Sequence, residues 1–173
     1  MKDRTVVIEK AFPHPAETVW IGITDSRALA EWLMPNDFLP EVGHHFRFVV
    51  DSSGTFDGVT HCEVTEMIEQ KKLVFTYKNS LMRNYTTTVE WTLRRAPGGT
   101  RLVIEHSGFE GFSGSRLSKS IGKTWMKMAT ELLPRVLENV RHDRFHSGAV
   151  SMKERAYKAN RISVEGIEAG ESE

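Results

Sequence analysis

One run of residues, Leu117 to Val140, constrains the rest of the chain. Leu117, Ile121, Trp125, Met128, Leu132, Val136 and Val140 recur every three or four positions, and Ala129, Leu133 and Leu137 widen the stripe. Ser120, Lys127, Glu131 and Glu138 fall on the opposite side. The spacing predicts an amphipathic helix with one broad apolar face. At 1.5 Å per residue it is roughly 36 Å long, enough to cross a small domain. A stripe carrying Trp125 and Met128 needs a large apolar partner, and only the strand-like sequence before it offers one. Pro134 lacks a backbone donor and is expected to kink the helix on its polar side.

The partner is legible as alternation. Thr5 to Phe12 alternates as a strand and ends at Pro13 and Pro15. Ala16 to Thr24 reads as a short helix with Val19, Trp20 and Ile23 inward. A second short helix, capped by Asp25 or Ser26, runs through Leu33 and is stopped by Pro35. Strands are then expected at His44–Asp51, Gly58–Ile68, Lys72–Tyr77, Tyr85–Arg95 and Thr100–Ser107, with turns at Ser52-Ser53-Gly54 and Pro97-Gly98-Gly99. Each of the last three strands has one apolar face: Leu73, Phe75 and Tyr77; Val89, Trp91 and Leu93; Leu102, Ile104 and His106. The glycine-rich segment Gly108 to Gly114 bridges to the long helix. The layout is α+β: a curved antiparallel sheet of about six strands gripping a long C-terminal helix, with two short helices after the first strand. Residues 1–141 form the domain. Residues 142–173 read as a tail, part helical over Lys153 to Arg161 or without fixed structure.

Composition narrows the function classes. The chain has 173 residues, with 23 basic and 23 acidic side chains and no net charge, which argues against nucleic acid as a partner. Cys62 is the sole cysteine, so an intrachain disulfide is impossible. No run of apolar residues is long enough to span a membrane, and the first residues do not resemble a signal peptide, so a cytoplasmic location is expected.

Several motifs occur together in order: Ile8-Glu9-Lys10-Ala11-Phe12-Pro13-His14-Pro15-Ala16-Glu17-Thr18-Val19-Trp20, then Thr24-Asp25, Leu29 and Trp32; Gly58 with Glu63-Val64 and Lys72 to Tyr77; Gly99 to Leu102 leading to His106-Ser107-Gly108-Phe109; and Gly122 with Trp125. Together they resemble the START-like (helix-grip) superfamily over about residues 5–140. The nearest branch is that of the activator of heat-shock protein 90 ATPase. The chain departs from that pattern at Tyr77, where tryptophan is usual, at Leu33-Met34, and in the separation of Gly122 from Trp125. The resemblance implies a cavity between sheet and long helix. It leaves open whether relatives of this kind bind lipids or hormones, cyclise polyketides, or bind a chaperone.

Trp32, Phe48, Tyr77, Trp91, His106, Trp125 and Met128 are the candidate lining of such a cavity, an apolar wall with a few polar handles. The competing reading is a filled aromatic core. His106 is the best titratable candidate within the apolar face, an acid or base near neutral pH or else a buried neutral histidine. His44-His45, His61-Cys62 and His142/His146 lack the spacing of a zinc site, and Gly-x-Ser-x-Gly is absent, so no metal, cofactor or catalytic residue is assigned. The function expected is binding of a hydrophobic small molecule, lipid or aromatic and polyketide-like. A chaperone-directed interaction module is the second reading and a cyclase-like enzyme the third.

Overall fold

The computed structural model describes residues 4–160 and Ile167. Strand β1 (Arg4–Phe12) is followed by helices α1 (Ala16–Thr24) and α2 (Ser26–Trp32). A meander of β2 (His45–Val49), β3 (Val59–Ile68), β4 (Lys72–Tyr77), β5 (Thr87–Ala96) and β6 (Gly99–Phe109) comes next. The sheet order is β1-β6-β5-β4-β3-β2, with every neighbouring pair antiparallel. The first strand therefore closes the far edge beside the last. The tight β5–β6 reversal depends on Gly98, whose φ of 73° lies in the left-handed region that glycine adopts without strain. Asp25 ends α1 and starts α2, its carboxylate accepting the Arg27 and Ala28 backbone N–H groups.

The long helix starts earlier and ends differently than the sequence pattern predicts. It comprises α3 (Gly111–Lys127), a π turn (Met128–Leu132) and α4 (Leu133–Glu138). Gly111 to Gly114 belong to its first turn rather than to a bridge. Tyr85, expected in a strand, precedes β5. The missing proline donor is absorbed one turn upstream of Pro134. The chain widens into a π turn in which the Leu133 N–H donates to the Met128 carbonyl, and Pro134 falls at the start of α4, where no N–H is needed. That widening keeps Met128, Ala129, Leu132 and Leu133 all buried.

After α4 the chain makes a small hairpin, β7 (Val140–Arg141) with β8 (Arg144–Phe145), turning through His142 and Asp143 at positive φ. Phe145, Val150 and Ala159 are buried, so residues up to Asn160 pack on the domain. The helical piece expected at Lys153 to Arg161 is a single 3-10 turn, Met152–Glu154; Arg161 lies outside the described residues.

The helices meet closely because α1 carries a glycine at the crossing. A Cβ at Gly22 would come within 2.6 Å of Leu137 Cδ2 and 3.5 Å of Leu133 Cδ1. Gly22→Ala is expected to cost about 1–3 kcal/mol through overpacking. Urea denaturation reads this directly, and an unchanged midpoint would show that α4 yields freely.

Candidate functional site

The pleat of the sheet decides which side chains meet. On β4, β5 and β6 the alternation turns Phe75 and Tyr77, Trp91, and Ile104 and His106 inward. The register sets Leu73 against Trp91, Trp91 against Ile104, and Val89 against His106. Helix α2 adds Trp32, β2 adds Phe48, and the end of α3 with the π turn adds Trp125 and Met128. All seven candidate lining residues are buried, none more than 4% exposed.

Trp91 stands at the centre. Its ring centroid lies 5.5 Å from Trp32, 5.1 Å from Phe75 and 6.0 Å from Trp125, the last two edge to face. Such pairs are worth about 0.5–1.5 kcal/mol each beyond burial. Phe75 carries the wall on to Phe48 at 6.2 Å and to Phe46 at 5.5 Å. His106 joins Trp125 at 6.1 Å, Tyr77 at 4.8 Å and Phe109 at 4.6 Å. The sequence reading left Phe75 out of the lining, although its place between Leu73 and Tyr77 on one strand face was the signal for it.

The polar atoms of the cluster form a directed chain. The Trp125 indole Nε1–H donates to His106 Nδ1 at 3.1 Å. Nδ1 must then carry the lone pair, so the proton sits on Nε2, which donates to Thr87 Oγ1 at 2.7 Å. The Thr87 hydroxyl in turn donates to the Tyr77 carbonyl at 2.8 Å. Burial lowers the His106 pKa to about 3. His106 is therefore neutral near pH 7, with both ring nitrogens used. Burial also raises the Tyr77 hydroxyl and the Cys62 thiol well above their ordinary values, so neither ionises near neutrality.

The three fully buried indoles differ in one respect. Trp32 Nε1–H donates to the Gly22 carbonyl at 2.9 Å, and Trp125 donates to His106. Trp91 Nε1–H has no partner among the described residues. No buried Lys or Arg occurs among the described residues, and the buried Glu31 carboxylate is taken up by the backbone N–H groups of Gly148 and Val150. Among the described residues no three His, Cys, Asp or Glu side chains converge as a metal site would require. Among the described residues no helix is long and apolar enough to cross a membrane.

The sequence profile of the family described as "Activator of Hsp90 ATPase homolog 1-like protein" matches residues 13–138. The chain belongs to that family. As an activator-of-Hsp90-ATPase-homolog-1-like protein it is similar to a solved structure from Mesorhizobium loti, at 33% identity and a TM-score of 0.71 over 80% of this chain and 99% of that one. A Bacillus halodurans structure matches at 26% identity and a TM-score of 0.64, over 79% and 99% of the two chains. DynU16, a protein in the dynemicin biosynthetic locus, shares the fold at 24% identity and a TM-score of 0.61, over 81% of this chain and 49% of that one. No curated protein matches the sequence.

Proposed function

We propose that this family member binds a neutral hydrophobic small molecule between its sheet and its long helix, and that the Trp91 indole N–H is the group that orients it. The unpartnered N–H carries this reading. A donor buried without an acceptor costs about 1–3 kcal/mol, and an acceptor oxygen on a ligand removes that cost. The aromatic walls of Trp32, Phe48, Phe75 and Trp125 supply apolar surface on either side. With no buried cation among the described residues to neutralise it, a carboxylate is disfavoured there. The favoured class is a flat or branched apolar molecule with one ketone, ester or ether oxygen. His106, with both nitrogens engaged, is poorly placed for acid–base chemistry, which weighs against a cyclase. The family's name supplies a chaperone-directed reading, but an orphaned interior donor has no use in it.

The test is a fluorescence titration with Prodan, a neutral aromatic ketone, beside anionic anilinonaphthalene sulfonate. Saturable, blue-shifted Prodan binding is expected, with the sulfonate much weaker. Trp91→Phe keeps an aromatic six-membered ring and deletes the pyrrole half that carries the donor. It should weaken Prodan about tenfold, the worth of one hydrogen bond, without lowering the stability of the ligand-free protein by more than about 1 kcal/mol. Equal Prodan affinity in both proteins would remove Trp91 from the site, and no saturable binding would end the proposal.

A further inference from the structure

The segment after α4 crosses from one wall of the domain to the other. Near its start Glu31 of α2, itself 3% exposed, accepts the Gly148 N–H at 3.0 Å and the Val150 N–H at 2.8 Å. Arg135 of α4 then grips Glu154 through two hydrogen bonds of 3.0 and 3.1 Å. At its far end the Lys158 carbonyl accepts the Asp51 N–H at 2.8 Å, just beyond β2, and the Asp51 carboxylate accepts the Asn160 N–H at 3.2 Å. Between these fastenings Tyr157 is partly buried and packs against the core cluster, to which Tyr77 of β4 and Trp125 of α3 belong. That cluster is built from both the helix wall and the sheet wall of the interior, so a side chain of the strap covers the core they share.

We propose that residues 145–160 are a strap that closes the space between α3 and β4, with Tyr157 as its plug, and that a ligand reaches Trp91 only when the strap lifts. The inference rests on the ligand-binding reading above and adds its gate. Three observations support it. The interior rings already lie at contact distances, so access needs something to move. Residues 155–160 have no helix or strand of their own, and among the described residues few backbone hydrogen bonds fasten them, which is the pattern of a segment that opens locally at low cost. Arg155 Nε is buried without a partner among the described residues, and lifting the strap returns it to water. The strap is also an addition to the shared fold: the family profile ends at residue 138, and 99% of the Mesorhizobium loti chain is matched by 80% of this one.

Stopped-flow mixing of the full chain with Prodan tests this. Gating predicts an association rate that levels off at high Prodan, limited by lifting. Tyr157→Ala removes the plug, and Glu31→Gln weakens the fastening while keeping its shape. Each should raise the limiting association rate about tenfold. The dissociation rate should rise by a similar factor, so that affinity changes little. A purely structural role would change affinity through dissociation alone. Prodan binding with association rates unchanged in both variants overturns the gate and leaves the ligand-binding reading standing. Absence of binding in the parent and both variants overturns that reading and the gate together.

Discussion

Lowering the pH from 7 to 4.5 should remove about 3 kcal/mol of unfolding free energy through His106 alone. The folded-state pKa of His106 is about 3, because burial excludes the imidazolium. In the unfolded chain the same ring titrates near its ordinary value of about 6.5. Above that pH neither state holds the proton and His106 imposes no penalty. Below it the unfolded chain gains a proton that the folded one refuses, so stability falls by about 1.4 kcal/mol per pH unit. The loss is complete only when the folded protein also protonates, near pH 3. Urea unfolding of the parent and of His106→Gln across this range isolates the effect from the other six histidines of seven and from the carboxylates. The amide can still accept from Trp125 and donate to Thr87, but it cannot titrate. The parent should show the steeper acid limb, and parallel limbs would mean that His106 is not held neutral.

The elements were legible because their cues are local. A period of two placed Phe75, Trp91, Ile104 and His106 on one face, and a period near 3.6 placed Trp125, Met128, Leu132 and Val136 on another. The helix start at Gly111 was not, since glycines at the head of a helix look like a loop. Pro134 announced an irregularity but not its form, because whether a helix bends or widens depends on which side chains must stay buried. Pairings were hidden for a different reason. Trp125 and His106 are 19 positions apart, and Glu31 reaches Val150 across 119. No periodicity encodes a bond that only the tertiary fold creates. The strap residues Tyr157 and Ala159 sit in a polar, aperiodic stretch whose burial is supplied by the domain they cover. The orphaned Trp91 donor is a property of what the fold fails to place nearby, so residue order could nominate the ring but not its unfilled hydrogen bond.

Trp125→Ala should be the most damaging single change in the interior, costing about 4–6 kcal/mol. Removing a buried tryptophan ring alone costs about 3–5 kcal/mol. Here the edge-to-face contacts with Trp91 and His106 go as well, and His106 Nδ1 is left buried without a donor. Domains of this size hold only about 5–15 kcal/mol in total, so the variant should be close to unfolded at room temperature. Trp125→Phe separates the two contributions. It keeps most of the ring and loses the hydrogen bond, for about 1–2 kcal/mol. It also removes the donor that favours the neutral imidazole. The folded-state pKa of His106 should rise toward the ordinary value, and the acid limb should flatten relative to the parent. Urea midpoints at pH 7 and pH 4.5 measure both effects, with near-ultraviolet circular dichroism reporting the aromatic packing. A Trp125→Ala protein that loses under about 2 kcal/mol and keeps its near-ultraviolet signal would show that the ring does not seat the long helix on the sheet. The π turn at Met128–Leu132 begins three residues later, with Met128 and Leu132 buried in the same core. The same loss should therefore free Met128 and Leu132 from the core, so damage at one ring spreads along the helix rather than staying at the cavity it leaves.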